Sequence, residues 1–491
     1  FPILLIITSN LDEIVLIDAG LSLLIIMGTM LASWLLLNLF LKNKMRSGLF
    51  VSLGLVLFFS YGNFLRITTQ IDVSNLPFSH HTYGVPVFFI MLLLGVFTII
   101  KIKKHLSGVT TFTNIIAIVL IVILLPNLAS YSFETQSVES IGNPLNYKIT
   151  GESELKDKPN IYYIIVDEYT SDEILTKIYD YDNHDFLSKL VQRGFYVPSE
   201  SYTNYPTSVL AISANLNMQY IHDKKISPTL DNKNEFYNNN QIMRILKSLD
   251  YTIVNMSIEY GYPEIADYHL CPTSMFVNQF HTTLLDDSIW QPFSKFFITA
   301  GEPQRDRVNC KFSELSDLHK SFDSPFFVLG HIMSPHPPYL FGPNGESISP
   351  EFLSIGAASW NDKSGYVNQV QYINKKIIET VDKILLESES QPVIIIQGDH
   401  GTPTQLGGGG LRWNNINDDS ITERMSIFNA YYFPHLNSEI IYDGITPVNS
   451  LRLVLNNYLN GSYELLEDRM YFTTYQDTLN FTDVTSLLSV P

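Results

Sequence analysis

Four apolar segments crowd into the first 130 residues of this 491-residue chain and limit its architecture more than any other feature. They cover about residues 19–41, 48–65, 84–102 and 111–130. Each approaches the ~20 residues that an α-helix needs to cross a bilayer. A buried helix of a soluble protein is the alternative for any single segment, but four in succession argue against it. We therefore predict a transmembrane region of four full helices over residues 1–130.

The first eight residues have the composition of an apolar helix end, and residue 1 is Phe rather than Met. We expect them to be the tail of a further membrane helix that begins upstream of this sequence. A cleaved signal peptide does not account for the pattern, because the apolar segments are too many and too long.

The loops between the apolar segments differ in basic residues, and this difference predicts their orientation. Two loops carry three basic residues each: Lys42, Lys44 and Arg46 in the first, and Lys101, Lys103 and Lys104 in the third. The loop between them, about residues 66–83, carries only Arg66. Basic loops stay in the cytoplasm, so the fourth segment exits on the opposite side. We therefore predict a multi-pass protein of the cytoplasmic (inner) membrane whose remaining chain is extracytoplasmic.

Charge is distributed unevenly between these two parts of the chain. Residues 1–150 carry 8 Lys and Arg against 6 Asp and Glu, whereas the rest carries 23 against 43. Such an acidic region argues against a nucleic-acid partner, which a basic face would bind. It also repels anionic substrates at long range, so phosphate chemistry would depend on a local cation.

The chain has two cysteines, Cys271 and Cys310. This number indicates neither a disulfide-rich scaffold nor a zinc finger. A single disulfide is possible in an extracytoplasmic domain, but the sequence leaves open whether the two residues pair.

After a polar linker, predicted over residues 131–157, short apolar runs alternate with amphipathic segments. We predict strands at about residues 161–166, 195–197, 251–255, 326–330 and 393–397. Helices are predicted at about residues 172–191, 207–221, 238–249 and 364–387. Strands that alternate with helices form a mostly parallel sheet covered on both faces. The predicted fold class is therefore α/β, a mostly parallel sheet sandwiched by helices, in one extracytoplasmic domain over residues 158–491.

The most informative of these strands runs from Val393 to Ile396 and is followed by Gly398-Asp399-His400-Gly401. Open α/β sheets bind their ligands at the carboxyl ends of parallel strands. A carboxylate and an imidazole are both good ligands for a divalent cation. A polar turn after a strand is the alternative, and the pair alone does not exclude it.

Polar residues follow two other predicted strands. Asp167 and Glu168 follow the strand 161–166, and His331 and His336 follow the strand 326–330. These positions place all three groups at one edge of the sheet.

Thr207 and Ser208 begin a predicted helix. A hydroxyl at this position is often an N-cap. It can also be a nucleophile, because the helix N-terminus favours a developing anion. The glycine-rich loop at residues 407–410 lacks the Lys-Ser/Thr pair of a phosphate-binding loop, so we interpret it as a mobile lid or a linker.

Together these motifs resemble the alkaline phosphatase and sulfatase superfamily over about residues 158–435. The segment 159–168 looks like its opening metal strand, and Gly398-Asp399-His400-Gly401 looks like its second metal motif. The segment 331–339 is similar to the histidine motif of its membrane transferases. The order of membrane helices and outer domain also resembles lipoteichoic acid synthases, lipid A phosphoethanolamine transferases and uncharacterised membrane-bound sulfatase-like proteins.

The resemblance implies one divalent metal ion, of the Mn, Mg or Zn type, and a nucleophilic hydroxyl from Thr207 or Ser208. The implied metal ligands are Asp167, Asp399 and His400, with Glu168 as a fourth ligand or a supporting group. His336 would protonate the leaving group or bind the substrate phosphate. His331 and Asn204 are expected to bind the substrate.

Two departures from the family pattern restrict the expected chemistry. Sulfatases carry a Cys or Ser in a Cys/Ser-x-Pro-x-Arg motif, whereas residues 205–209 here are Tyr-Pro-Thr-Ser-Val and Cys271-Pro272 does not fit either. Sulfate-ester hydrolysis is therefore the weaker interpretation. Two-metal members need further ligands, and residues 326–330 offer no carboxylate, which favours one metal.

The sequence as a whole predicts a membrane-anchored enzyme. We expect it to transfer a phospho-substituent, of phosphoglycerol or phosphoethanolamine type, from a phospholipid donor to a glycan or lipid of the cell envelope. A phosphodiesterase or a sulfuric ester hydrolase is the alternative among enzymes. A non-catalytic envelope scaffold is the alternative from another class, and it would not need Asp167, Asp399 and His400.

Overall fold

A computed structural model describes residues 4, 16–69, 80–102, 106–134, 158–221, 236–256, 263–272, 284, 288–290, 302–348, 359–407, 413–436, 440–475 and 477–488. The predicted helix tail at residues 1–8, apart from residue 4, lies outside this set. So do residues 135–157 of the predicted linker and residues 408–410 of the glycine-rich loop. The chain divides into two compact units, one of residues 1–133 with 274–300 and one of residues 134–273 with 301–491. The domain boundaries stated above stay predictions.

The first unit contains four long helices: α1 (Leu16–Leu41), α2 (Lys44–Thr69), α3 (His80–Lys101) and α4 (Leu106–Glu134). All four are long and apolar enough to cross a membrane. Tyr61 of α2 packs edge-to-face on Phe88 of α3 with ring centroids 5.2 Å apart. Large apolar side chains are exposed on the outer faces, and Phe40, for example, is 84% exposed. The prediction of four apolar helices is confirmed. Each helix begins three to five residues before its predicted start, and α2 and α4 also end four residues later than predicted.

The second unit is built on a six-stranded sheet. Its strands are β1 (Ile161–Val166), β2 (Thr252–Asn255), β3 (Tyr268–His269), β4 (Phe326–Ile332), β5 (Val393–Gly398) and β6 (Asn429–Tyr432). The spatial order is β3-β2-β4-β1-β5-β6. Neighbouring strands are parallel except at β6, which pairs antiparallel with β5. The predicted mostly parallel sheet is confirmed.

Helices cover both faces of this sheet, and the alternation of side chains along β1 shows how. Tyr162 and Ile164 pack into one core with α5 (Asp172–Tyr179), α6 (His184–Gln192), α9 (Glu302–Ser321) and α10 (Lys363–Glu387). Ile161 and Tyr163 pack into the other core with α7 (Ser208–Asn217), α8 (Gln241–Ser248) and α12 (Pro447–Tyr458). Burial of the central strands on both faces explains why their sequences are continuously apolar.

The structure corrects three local predictions. The helix predicted over residues 172–191 is two helices, because Asp180 adopts a left-handed conformation with φ 51° and ends α5. The short strand predicted at residues 195–197 is a single bridge between Tyr196 and Tyr431. The strand predicted to end at residue 330 continues to Ile332, so that His331 lies inside β4.

Several elements were not predicted from the sequence. They are β3, β6 and α9, then α11 (Asp418–Met425) and α12, and a C-terminal region with β7 (Tyr471–Thr474), β8 (Asp477–Asp483) and α13 (Thr485–Leu488). The strands among them are short or lie at sheet edges, where the apolar pattern is weak.

The structure also answers the question about the cysteines. Cys271 and Cys310 form a disulfide with their Cα atoms 5.9 Å apart.

Candidate metal centre at the carboxyl edge of the sheet

The register of three adjacent strands brings the predicted site residues together. Val166 of β1 pairs with Ile332 of β4 on one side and with Gly398 of β5 on the other. The next residues of β1 and β5, Asp167 and Asp399, therefore reach the same level at the edge of the sheet. The carboxyl edge of a parallel sheet is where ligands bind in such folds.

Asp167, His331 and Asp399 form a buried cluster at this edge. Each offers one ligand atom, and these atoms lie within 4.8 Å of one another. His331 Nε2 lies 3.0 Å from Asp167 Oδ2. The sequence analysis assigned His331 to the substrate, whereas the structure places it beside the two aspartates.

Two carboxylate oxygens in this cluster, Asp167 Oδ1 and Asp399 Oδ2, have no hydrogen-bond partner among the residues that the structure describes. Burial, together with repulsion from Asp167, raises the pKa of Asp399 to about 6. Burial also acts to raise the pKa of Asp167, but the charges of His336 and His331 outweigh it and hold that pKa below its usual range. A buried pair of carboxylates without enough donors is unfavourable. Since carboxylate and imidazole suit Mg, Mn and Zn, a divalent cation fits this donor set.

His400 connects the cluster to the start of α7. Its Nδ1 lies 3.1 Å from the carbonyl oxygen of Gly401, which can only accept, so Nδ1 carries the proton. The lone pair of Nε2 then faces Ser208 Oγ at 2.9 Å, and the hydroxyl donates to it. Burial, with a contribution from nearby Arg424, lowers the pKa of His400 well below its usual value and keeps the ring neutral. Nε2 is also 3.5 Å from Asp399 Oδ2, so a cation that replaced the Ser208 hydroxyl at the Nε2 lone pair would have both atoms as ligands.

Both candidate hydroxyls lie at the N-terminus of α7. Thr207 is the N-cap residue in an extended conformation, but its side chain makes no capping hydrogen bond. Ser208 is the first helical residue, and both side chains are buried. A helix N-terminus stabilises negative charge on either oxygen. The geometry therefore keeps both residues as candidates and adds a contact with His400 for Ser208.

Glu168 lies next to this cluster in a strained backbone conformation. Its φ is 62°, in the left-handed region that non-glycine residues seldom occupy. In this conformation its N–H donates to Asp399 Oδ1 at 3.0 Å. Its carboxylate accepts from Trp360 Nε1 at 2.8 Å and contacts Arg424 Nη1 at 3.3 Å. Burial raises the pKa of Glu168 well above its usual value, although Arg424 opposes this effect.

The comparison with known proteins agrees with this geometry. The family model described as Sulfatase matches residues 159–444, which is more than half of the chain. The chain belongs to the sulfatase family. The prediction of the alkaline phosphatase and sulfatase superfamily is thereby confirmed. No curated protein matches the chain significantly.

Three solved structures are among those similar to this sulfatase-family chain. The C-terminal periplasmic domain of EcEptC from Escherichia coli, in complex with Zn, has a TM-score of 0.47 at 10% identity, with 70% of this chain and 96% of that chain covered. The lipooligosaccharide phosphoethanolamine transferase EptA from Neisseria meningitidis has a TM-score of 0.43 at 9% identity, with 73% of this chain and 64% of that chain covered. A protein of the alkaline phosphatase superfamily from Vibrio parahaemolyticus has a TM-score of 0.42 at 13% identity, with 70% of this chain and 80% of that chain covered.

His336 lies near the candidate metal cluster of this sulfatase-family domain. Its backbone N–H donates to the carbonyl oxygen of Asp167 at 3.2 Å. Its Nδ1 donates to the carbonyl oxygen of Pro337 at 2.7 Å, which leaves Nε2 as the ring nitrogen that can gain or lose a proton. Gln369 holds the loop by donating to the carbonyl oxygens of Pro335 and His336. The side chain is partly exposed, as a group that meets a substrate would be.

Two other predicted site residues have contacts of a different kind. Asn204 Oδ1 accepts from the backbone N–H of Val448, and Nδ2 donates to the carbonyl oxygen of Arg469, each at 2.9 Å. These bonds tie the loop before α7 to two distant segments. Glu168 is outside the cluster of ligand atoms among the described residues. The predicted substrate role of Asn204 and the predicted ligand role of Glu168 stay predictions.

The sequence analysis did not single out Trp360 or Arg424, the two residues that hold the Glu168 carboxylate. They lie 192 and 256 residues from Glu168 along the chain. No motif or spacing connects them to it, so only the fold reveals their proximity.

Proposed function

We propose that this protein is a membrane-anchored, metal-dependent enzyme that transfers a phospho-substituent onto a glycan or lipid of the cell envelope. The substituent is of phosphoglycerol or phosphoethanolamine type, and the nucleophile is the hydroxyl of Thr207 or Ser208. The observation that supports this most is the buried Asp167–His331–Asp399 cluster, with His400 joining it to a hydroxyl at a helix N-terminus. An inert scaffold would have no reason to bury this unbalanced set of charges.

One divalent ion, of the Mn, Mg or Zn type, would be held by Asp167, Asp399 and His400. His331 would either contact the ion directly or stay hydrogen-bonded to Asp167. When bound, such an ion lowers the pKa of a neighbouring hydroxyl and neutralises charge on the transferred phosphoryl group. His331 also keeps the Asp167 carboxylate ionised and oriented, which is what a metal ligand requires.

The chain itself provides the groups for a two-step transfer. The hydroxyl oxygen at the start of α7 forms a bond to phosphorus while the bond from phosphorus to the leaving alkoxide breaks. When His400 Nε2 ligates the ion it no longer accepts from Ser208, and the hydroxyl, whose pKa the ion would lower, loses its proton to solvent. His336, when protonated at Nε2, donates that proton to the leaving oxygen. An acceptor alcohol, or water, then attacks phosphorus and releases the free hydroxyl.

The location of the site outside the cytoplasm is supported by two independent features. The basic loops before and after α2–α3 predict that the chain after α4 is extracytoplasmic. The Cys271–Cys310 disulfide is of a kind that persists in oxidising compartments. Four apolar helices would keep the domain near a phospholipid donor and envelope acceptors, although a simple anchor has the same features.

A hydrolase is the second candidate, because water can replace the acceptor alcohol at the same site. Phosphodiester hydrolysis needs no change in the site. Sulfate-ester hydrolysis is less favoured, since residues 205–209 do not form the Cys/Ser-x-Pro-x-Arg motif of sulfatases.

The test uses the full chain purified in detergent. We expect about one equivalent of divalent metal and metal-dependent cleavage of bis(p-nitrophenyl) phosphate, with far slower turnover of p-nitrophenyl sulfate. Of the variants Thr207→Ala and Ser208→Ala, one should lower kcat by at least about 10³-fold, since it removes the nucleophile. The other should retain most activity.

Thr446→Ala is a matched control. Thr446 is also a buried threonine at a helix N-cap without a capping side-chain bond, but it starts α12 and bonds Asp468. It should keep kcat within about threefold. A protein that binds no metal and turns over neither ester would overturn the proposal, and a preference for the sulfate ester would favour the second candidate.

A further inference from the structure

Arg424 is a buried cation beside the candidate site. It is the seventh residue of the eight-residue helix α11 and only 3% exposed. Its guanidinium lies over the ring of Trp413, with Cζ 5.2 Å from the ring centroid. A cation in such a dry environment is stable only when its donors are well used.

The guanidinium contacts three segments, and each contact is directly beside a residue of the predicted hydroxyl or metal site. Nε donates to the carbonyl oxygen of Pro206 at 2.7 Å, directly before Thr207. Nη1 donates to the carbonyl oxygen of Gly401 at 2.8 Å, directly after His400. Nη1 also contacts Glu168 Oε1 at 3.3 Å, directly after Asp167.

The backbone of α11 is itself fixed at this place. The carbonyl oxygen of Arg424 accepts from the N–H of Gly401 at 2.8 Å. The preceding residue, Glu423, accepts from the backbone N–H of Thr404 at 2.9 Å and of Gln405 at 2.8 Å. Asn417 and Ser420 close a capping box at the other end of the helix. Arg424 therefore projects from a rigid support, as a residue that sets the geometry of a site should.

We propose that Arg424 is a positioning residue, which holds the hydroxyl-bearing loop at Pro206 in register with the metal-binding turn at Gly401. The loop at residues 205–209 has no arginine of its own, so this cation reaches it from α11. The planar guanidinium can bond both carbonyl oxygens and the Glu168 carboxylate at once, which a lysine ammonium on a flexible stem cannot do. This inference deepens the proposed function and rests on it.

Displacement of a nucleophile by about 1 Å can lower the rate about 10²-fold. We therefore expect Arg424→Lys to lower kcat by about 10²-fold on bis(p-nitrophenyl) phosphate, while KM stays within about threefold. Metal content should match that of the unaltered protein. Arg424→Met, which removes every donor, should lower kcat at least as far.

Arg452→Met provides the matched control. Arg452 is also buried, at 6% exposure, and it donates to the carbonyl oxygens of Met218 and Glu464 with its guanidinium 5.9 Å from the Tyr463 ring. It contacts the far end of α7, about 15 Å of helix away from Ser208. We expect kcat of this variant to stay within about threefold.

A second readout separates positioning from general loss of structure. If Arg424 acts through the hydroxyl, Arg424→Lys should cause little further loss when combined with whichever of Thr207→Ala and Ser208→Ala is inactive. Three results would overturn the inference while leaving the proposed function intact. They are a double variant whose loss of kcat is the product of the two single losses, an unchanged kcat in Arg424→Lys, and a loss of kcat in Arg452→Met equal to that in Arg424→Met.

If the unaltered protein cleaves no diester, the proposed function fails and crystal structures of the variants decide the inference. Arg424→Met should displace the Pro206–Ser208 backbone by about 1 Å relative to Gly401, and Arg452→Met should not. An undisplaced loop in Arg424→Met would show that Arg424 does not position it.

Discussion

Two glycines, at the end of β5 and just after it, determine how closely this backbone approaches neighbouring segments. A Cβ at Gly398 would overlap the carbonyl oxygen of Tyr169, and one at Gly401 would overlap the carbonyl oxygen of Glu423. The Tyr169 oxygen cannot move aside easily, because it accepts from the N–H of Phe428 at 3.0 Å, and the Glu423 oxygen belongs to the backbone of α11. The glycines on either side of Asp399 and His400 are therefore required by close packing of main chains.

Gly398→Ala should lower the free energy of unfolding by about 2–4 kcal/mol, since the new methyl group must displace backbone. Urea denaturation of the full chain in detergent, followed by tryptophan fluorescence, measures this change. Gly330→Ala is the control within β4, where the nearest atoms to a Cβ belong to the side chain of Leu315, the closest at 3.3 Å. Gly330→Ala should lower the free energy of unfolding by about 1 kcal/mol or less. Equal losses of stability in Gly398→Ala and Gly330→Ala would contradict this explanation.

Among the elements, the edge strand β3 is short, and a single carboxylate supports its junction with β2. Asp267, directly before β3, accepts from the N–H of Ile253 at 2.9 Å and forms an ion pair with Lys247. Burial acts to raise the pKa of Asp267, but the hydrogen bond from Ile253 and the charge of Lys247 outweigh it and lower the pKa. The ionised form is therefore favoured in the folded state.

A carboxyl group with a lowered pKa in the folded state stabilises the protein above its unfolded pKa, about 3.9, and loses this effect as the pH falls through the folded value. Asp267→Asn should therefore be less stable than the unaltered protein at pH 6–7, by up to about 1 kcal/mol because the pair is partly exposed. The difference should shrink as the pH falls below the unfolded pKa and vanish once Asp267 is protonated in the folded state as well. Urea midpoints across this range measure it, and a difference that is independent of pH would rule out the charge as its cause.

For the molecule as a whole, the disulfide links two segments 39 residues apart in the chain. Closing a loop of this length restricts the unfolded chain and contributes about 2–4 kcal/mol. Cys271→Ser and Cys310→Ser should each lower the free energy of unfolding by this amount, and the double variant should lose no more than either single one. Additive losses, or two reactive thiols in the unreduced protein after denaturation, would contradict the pairing.

The predicted orientation in the membrane can be tested without removing this disulfide, since the chain has no free cysteine. Lys44 is the exposed first residue of α2, next to the basic residues predicted to be cytoplasmic, and Ser390 lies on the exposed surface of the second unit. A maleimide that cannot cross membranes should label Ser390→Cys in intact cells whose outer membrane or cell wall has been permeabilised. It should label Lys44→Cys only after the inner membrane is disrupted. The reverse pattern would exclude an extracytoplasmic site.

The sequence by itself determined those features that depend on neighbouring residues. Apolar runs of bilayer length indicated the four helices, and the run from Val393 to Ile396 indicated a strand buried on both faces. The polar residues after that strand, Asp399 and His400, marked one edge of the sheet. Each of these signals is local, because helix and strand periodicity are fixed by the backbone within a few residues. The break at Asp180 was missed because one left-handed residue does not alter the apolar pattern.

Only the tertiary structure decided which side chains meet at that edge. His331 joins Asp167 because β4 pairs with β1, although 164 residues separate them, and Ser208 reaches His400 across 192 residues. Arg424 had no sequence signal at all, because its role depends on three carbonyl and carboxylate oxygens supplied by distant loops. Strand order and helix placement result from the packing of the whole domain, and no local pattern of residues encodes them.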